Sequence, residues 1–298
     1  VEAALKTQPL PLRQGLFRGN LQGGRTPLML AVLSDSLTCL LLLIEKMETP
    51  WTDYDDALNS VCHLLSWMPM FTALPSAIAR ILDAIPPAML LTLLSHTNAD
   101  GQTPLLCACA LGAGSLVAAL LLVSPQPKAT GTSLSLNGLQ QAARYGHVDT
   151  FFTMMTAGCE ADAPGGSMQA RPIHLACQFG SLTMVDELRS QGLPLTVTDA
   201  HGQCPLHYAA MSGSVRVAMY LLQLGARASA SDHVGRTAAH LAALHSQGLF
   251  LEVLFSQGRD LHLQRNNEGE TPLDCWQKRH GYPLHIALQP GRSLFPSA

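Results

Sequence analysis

The chain has 298 residues, of which 47% are hydrophobic and only 13% are charged, with a formal net charge of −3. This balance excludes a wholly disordered protein, and 18 basic residues give no electrostatic footprint for nucleic acid. The longest apolar runs fall well short of the ~18–20 residues that a membrane span needs. We therefore expect neither a membrane span nor a nucleic-acid partner.

The N-terminal residues 1–20, which include Pro9 and Pro11, match no later pattern. They either cap the first repeat or belong to a domain outside this chain, which begins at Val1 instead of methionine. The first recognisable element is TPLMLAV, centred on Pro27. It predicts a helix start, because Thr caps helices and Pro suits the first helical position.

Residues 51–97 show helical patterning but no TPLH-like stretch, and 77 residues separate Pro27 from Pro104. One predicted helical face includes Ala57 and Leu58, and a second runs from residue 78 to residue 85. We predict a degenerate repeat with an insertion of about eleven residues, in the form of an additional helix or a long loop. A different small inserted module is the alternative.

From residue 98 onward the sequence repeats every 33 or 34 residues. The aligned anchors are Pro104, Gly138, Pro172, Pro205, Ala238 and Pro272. Most anchors are preceded by an Asx residue six positions before them and by a glycine three positions before them, and the two together predict a tight turn. Small residues, a glycine reversal and a second apolar helical pattern come next. A single repeat of this kind cannot bury its apolar face, so neighbouring repeats must stack.

The stretches RPIHLAC, CPLHYAA and TAAHLAA make the chain resemble the ankyrin-repeat family, whose signature is T-P-L-H-x-A-A with a period of about 33 residues. The resemblance covers roughly residues 21–50 and 98–290. It implies an all-α ankyrin-repeat solenoid over residues 21–290, with about eight helix-turn-helix repeats, one of them irregular between residues 51 and 97. Residues 291–298 are a C-terminal tail.

Three histidines recur at one repeat position: His174, His207 and His240. Equivalent positions in stacked repeats lie about 8–10 Å apart, whereas metal ligands lie about 2 Å from their ion. The family resemblance implies that each histidine bonds to backbone and to the capping hydroxyl. The pair Cys107 and Cys109 has no second ligand pair at zinc-site spacing. We therefore expect no catalytic residues, no cofactor and no metal site.

The eight cysteines lie mostly inside apolar helical patterns, where free cysteine behaves as a small hydrophobic residue. This pattern favours a reducing intracellular compartment over a disulfide scaffold. We expect the cytoplasm or nucleus, or the host cytosol if the protein is a secreted effector.

The resemblance also implies which residues face outward, namely the turn tips and the two residues before each reversal glycine. The predicted partner-binding residues are Arg144, Tyr145, Gln178, Phe179, Met211, His201, Gln203, His233, Arg236 and His245, with Tyr208 at a half-buried position beside them. An exposed row of aromatic, Met and Arg residues is typical of binding hot spots. In the alternative, loops 124–135 and 160–170 fold over these residues and bury them within the protein.

The predicted function is a non-catalytic module or adaptor that binds a partner protein along its concave face and turn tips. We expect a monomer or a heteromeric complex. Two alternatives stay open: a substrate-recruiting arm of a larger enzyme or bacterial effector acting on host proteins, and an intrinsic activity within residues 51–97. The reading frame upstream of Val1 distinguishes the first alternative, and an activity screen on this chain tests the second.

Overall fold

The computed structural model describes residues 23–34, 39–40, 42–43, 51, 53–67, 75–123, 137–258 and 260–284. Within these ranges the regular structure is helical, apart from isolated β-bridges such as those of Gly165 with Ala170 and Ser231 with Thr237. The predicted N-terminal cap at 1–20, the loop at 124–135 and the tail at 291–298 lie outside the described residues.

The described part of the chain contains fifteen α-helices. In chain order they are α1 Pro27–Leu33, α2 Val61–Leu64, α3 Pro75–Ala84, α4 Pro87–Ser95, α5 Pro104–Leu111, α6 Gly114–Val123, α7 Gly138–Tyr145, α8 Val148–Thr156, α9 Pro172–Gln178, α10 Leu182–Ser190, α11 Pro205–Ser212, α12 Val215–Gln223, α13 Ala238–Leu244, α14 Gly248–Gln257 and α15 Pro272–His280. Two 3₁₀ turns, Leu65–Trp67 and Leu261–Leu263, complete the set. This arrangement confirms the predicted all-α fold class.

The turn before a helix is built around a buried Asx side chain, as the sequence predicts. Asp199 Oδ1 accepts the backbone N–H groups of His201 and Gln203, both at 2.8 Å. These bonds close the turn in front of α11, and Gly202 takes a φ of 76° within it. A side chain at Gly202 is disfavoured because this φ lies in the left-handed region.

The first turn of a helix is then capped by the residue before proline. Thr103 Oγ1 accepts the N–H of Leu106 at 3.4 Å in front of α5. Thr271 Oγ1 accepts the N–H of Asp274 at 3.2 Å in front of α15. These bonds satisfy helix N–H groups that have no partner within the helix.

The chain divides into two compact units, residues 1–142 with 149–159 and residues 143–148 with 160–298. In the first unit, α5 packs against α2, α4 and α6. In the second unit, the short helices α9, α11, α13 and α15 pack successively against one another, and α10, α12 and α14 form a second layer. The alanines at 209, 210, 242 and 243 are fully buried, which allows this close approach.

The irregular segment begins with a regular repeat turn. Asp55 Oδ1 accepts the N–H groups of Ala57 and Asn59 at 3.0 and 2.7 Å, and α2 then begins at Val61, one repeat length after the first anchor. The prediction that Ala57 and Leu58 lie on a helical face is wrong, because both belong to this turn. Leu58 has a φ of 60°, at the position where other repeats carry glycine.

The insertion in this segment is an additional helix. Helix α3 packs against α6, which is the position of an outer repeat helix, whereas α4 packs against α5. The apolar face of α3 is buried as predicted, through Ile78, Ile81 and Leu82. The extra residues that the structure describes therefore form α4, whereas residues 68–74, between the 3₁₀ turn and α3, lie outside the described residues.

No single helix in the described ranges combines the length and apolarity of a membrane span. Ile78–Ala84 and Pro87–Ser95 reach that length only as a pair, with a bend of 113° at the break.

Candidate functional site

The repeated histidines bridge neighbouring repeats through hydrogen bonds to backbone. At His240, Nδ1 accepts the N–H of Thr237 at 3.1 Å and lies 2.9 Å from the Thr237 hydroxyl. Because Nδ1 is an acceptor, the proton resides on Nε2. That Nε2–H donates to the carbonyl of Glu270 in the next repeat at 3.0 Å. These contacts confirm the structural role predicted for this position.

The other two predicted histidines make the same bridge. His174 Nε2 donates to the carbonyl of Gln203 at 3.1 Å, and His207 Nε2 donates to that of Arg236 at 3.0 Å. Both imidazoles are fully buried. Burial lowers the pKa of His174, which keeps the ring neutral and suited to this bridge.

A fourth bridging histidine, His63, was missed in the sequence. Its Nδ1 accepts the N–H of Ser60 at 3.2 Å, and its Nε2 donates to the carbonyl of Gln102 at 2.9 Å. Burial lowers the pKa of His63 to about 4. Ser60 and His63 stand where Thr and His stand in the repeat signature, and Asp55 supplies the preceding Asx. These three residues are the signal that could have identified this repeat.

Cys204 replaces the capping hydroxyl in front of His207. Its sulfur lies 3.0 Å from His207 Nδ1. Burial acts to lower the pKa of His207, but Cys204, the Arg236 carbonyl and the charge of Asp232 together outweigh burial, and the pKa is raised. Burial likewise acts to raise the pKa of Cys204, yet the His207 ring and the helix N–H groups lower it. At Cys62, by contrast, burial raises the pKa of the thiol to about 12.

Among the described residues, no three His, Cys, Asp or Glu side chains are grouped so that they could hold a metal ion. All eight cysteines of the chain lie in the described ranges and are free thiols. Cys109 donates to the sulfur of Met154, and Cys107 to the side chain of Gln102. The C-x-C pair therefore serves packing within the first compact unit.

The carboxyl ends of α7, α9, α11 and α13 carry a set of side chains that we call the helix-end row. The row comprises Arg144, Tyr145, Gln178, Phe179, Met211 and His245. Tyr145 and Phe179 are 50% and 47% exposed, and His245 is exposed as well, whereas the other three are half-buried. The loop at 160–170 thus leaves both rings open to solvent.

Three residues of the row form one cluster within the second compact unit. The rings of Tyr145 and Phe179 lie 6.2 Å apart between centroids, at an angle of 45°. The guanidinium carbon of Arg144 lies 4.6 Å from the Phe179 ring centroid and 5.4 Å from that of Tyr145. Cation–π contacts of this kind contribute about 0.5–1 kcal/mol at exposed sites.

Two of the predicted partner-binding residues are buried: Gln203, whose predicted exposure is wrong, and Tyr208, which was predicted to be half-buried. Tyr208 is 3% exposed, because its hydroxyl donates to Asp199 Oδ2 at 2.8 Å and its ring packs beside His174. Gln203 is 5% exposed, and its Nε2 donates to Asp232 Oδ2 of the following turn at 3.4 Å. Both side chains join neighbouring repeats instead of facing a partner.

The remaining turn-tip residues divide into two groups. His201 and His233 are exposed, and the N–H of His233 donates to the carbonyl of His201 at 2.9 Å, so their turns are adjacent. Arg236 is half-buried and forms an ion pair with Asp232 at 2.8 Å. Two turn tips are therefore open for contact, while the charge of Arg236 is neutralised within its own turn.

Residues 139–232 match the family described as ankyrin repeats, in three copies. The matched stretch contains the Arg144, Tyr145 and Phe179 cluster and the bridging residues His174 and His207. A comparison with curated proteins finds no match to this chain.

Proposed function

We propose, from the finding that residues 139–232 are ankyrin repeats, that this chain is a non-catalytic module which binds a partner protein through the helix-end row. Ankyrin repeats are general protein–protein interaction modules. The exposed turn tips His201 and His233 extend the same contact surface. We further propose that the protein acts as a monomer or within a heteromeric complex.

The observation that carries this proposal is the exposed cluster of Arg144, Tyr145 and Phe179. Large aromatic side chains and arginine are enriched at the centres of protein interfaces, and such residues dominate binding energies when a partner excludes water from them. Both rings keep about half of their surface in water. Covering them with a partner would remove that apolar surface from solvent.

The proposed absence of catalysis is supported by the hydrogen bonds of the repeated histidines. His174, His207 and His240 are fully buried, and each Nε2 donates to a backbone carbonyl. A general base must reach a substrate proton, whereas these rings are buried and already hydrogen-bonded within the protein. The free thiols of all eight cysteines support a proposed location in a reducing compartment, the cytoplasm or nucleus.

The double variant Tyr145→Ala/Phe179→Ala tests the proposal. Proteins captured from a cell extract by the intact chain are identified by mass spectrometry, and the affinity of the purified partner is then measured for each variant. Loss of two hot-spot rings weakens binding by roughly 30-fold or more. Thermal unfolding of the double variant stays close to that of the parent chain, because neither ring belongs to the core.

The matched control is Met219→Ala/Leu249→Ala, which removes two exposed apolar side chains from the outer helices α12 and α14. These residues are 45% and 60% exposed, so the control removes a similar amount of exposed apolar surface. It should leave partner affinity unchanged. A partner that responds to the control and not to the helix-end variant refutes the proposed surface.

A further inference from the structure

The helix-end row has a pronounced charge asymmetry. Helices α7, α9, α11 and α13 contain no acidic residue. The last turn of α7 carries Arg144, and the last turn of α15 carries Lys278, Arg279 and His280. A partner that follows the row and continues to α15 therefore meets basic residues at both ends of that path.

At each end one arginine stays outside the internal ion pairs, although Lys278 is paired with Glu270. Among the described residues, the ion pairs of the second compact unit join Arg171 to Asp162, Arg189 to Asp186, Arg236 to Asp232 and Lys278 to Glu270. Neither Arg144 nor Arg279 takes part in them. Partial burial, and after it the charges of Arg279 and Arg236, lower the pKa of His245.

Arg144 is held in a geometry that suits a carboxylate. Its guanidinium lies against the Phe179 and Tyr145 rings, and its Nε is buried with no hydrogen-bond partner among the described residues. A buried donor without an acceptor is costly, and a guanidinium binds a carboxylate through two parallel hydrogen bonds. An incoming carboxylate would accept hydrogen bonds from the terminal nitrogens of the guanidinium, while the Phe179 and Tyr145 rings hold its plane.

We propose that the helix-end row selects an extended, acidic segment of its protein partner, with one Asp or Glu paired to Arg144 and a second acidic residue near His245 and Arg279. This inference rests on the proposed function. Helix spacings of about 8–10 Å place Arg144 and Arg279 roughly 32–40 Å apart over four repeat steps. An extended chain covers that distance with about 10–12 residues.

A polypeptide fits this surface better than a nucleic acid. Nucleic-acid binding requires many phosphate contacts from clustered Lys and Arg, whereas this chain has 18 basic residues and a net charge of −3. Isolated basic groups flanking aromatic rings match a few carboxylates separated by apolar side chains.

The test uses a random 12-residue peptide library displayed on phage and selected on the full chain. Synthetic copies of the enriched peptides are then measured by fluorescence anisotropy against three single variants. Arg144→Gln removes the charge, Arg144→Lys keeps the charge without the planar fork, and Arg216→Gln is a control on the exposed face of α12. Circular dichroism and thermal unfolding verify that each variant is folded.

We expect the selected peptides to be enriched in Asp and Glu, and their affinity to fall as salt rises. Arg144→Gln weakens binding by about tenfold or more, Arg144→Lys weakens it less, and Arg216→Gln changes it less than about twofold. A dodecauridylate added as a competitor leaves peptide binding unchanged.

Three outcomes overturn this inference. The acidic segment is refuted if the peptides bind less tightly to Tyr145→Ala/Phe179→Ala but either lack acidic enrichment or bind Arg144→Gln as tightly as the parent chain. The proposed function stands in that case. Peptides whose affinity is unchanged by Tyr145→Ala/Phe179→Ala and by Arg144→Gln count against both proposals. Binding of the dodecauridylate in an Arg144-dependent manner identifies phosphate as the ligand and replaces the peptide proposal.

Discussion

The bridging histidine His63 predicts how the stability of the first compact unit depends on pH. Its folded pKa is about 4 because of burial, whereas an unfolded histidine titrates near 6.5. Above pH 6.5 both states are neutral, and the contribution of His63 is fully present. As the pH falls from 6.5 to 4, the unfolded chain binds a proton that the folded chain excludes, so stability is lost with acidification.

The size of this loss follows from the two pKa values. Each pH unit in this window costs about 1.4 kcal/mol for one such group, so the loss approaches about 3 kcal/mol at pH 4. In the variant His63→Gln the titrating group is absent. Its unfolding free energy lies below that of the parent chain at pH 7, because the bonds to Ser60 and Gln102 are lost or weakened.

Urea unfolding at pH 7, 5.5 and 4.5, followed by tryptophan fluorescence, measures the difference. The difference in unfolding free energy between the parent chain and His63→Gln should narrow by about 2–3 kcal/mol between pH 7 and 4.5. The control His201→Gln changes an exposed histidine and should track the parent chain at every pH. A gap between parent and His63→Gln that stays constant over this range refutes the assignment of His63 as a neutral, buried bridge.

Three further predictions concern stability and are measured by urea unfolding at pH 7. Cys204→Thr places in front of His207 the capping hydroxyl that Thr237 provides to His240, and it should stabilise the fold by about 0.5–1 kcal/mol. Thr237→Ala should destabilise it by about 1 kcal/mol. The capping role is contradicted if the two substitutions change the unfolding free energy in the same direction or in the reverse directions. Leu58→Gly should stabilise by about 0.5–1 kcal/mol, because Leu58 has a φ of 60° that glycine adopts without strain. Gly269→Ala, where nothing lies within 4 Å of a new Cβ, should cost about 1 kcal/mol. Gly202→Ala should cost about twice that, because its Cβ would lie 2.6 Å from the His233 ring; similar costs at both glycines would show that the adjacent turn does not matter.

The sequence period predicted the fold because each repeat element has a local chemical cause. Thr before Pro begins a helix, a buried Asx closes the turn, and glycine adopts the left-handed conformation. The sequence predicted a degenerate repeat in residues 51–97 but not its anchor at Val61, because valine replaces the anchor proline and Leu58 replaces the turn glycine. Its backbone turn is nevertheless the same, with Asp55 as the acceptor.

The exposure of individual side chains was harder to predict, because it depends on which groups each side chain packs against and bonds to in the folded protein. Tyr145 and Phe179 are exposed, as the family pattern implied. Gln203 and Tyr208 were placed near the surface by their positions, yet both side chains donate to aspartates, Asp232 and Asp199. Asp232 lies in the following turn and Asp199 in the turn before α11, and the repeat pattern alone does not show that these side chains meet.

The most direct test of the central claim is site-specific photo-crosslinking. A benzophenone amino acid replaces Phe179 in one protein and Leu249, on the outer helix α14, in another, and each is irradiated with the purified partner. We expect a covalent adduct from position 179 and none from position 249. An adduct from position 249 alone would show that the partner binds the outer helices and would contradict the account.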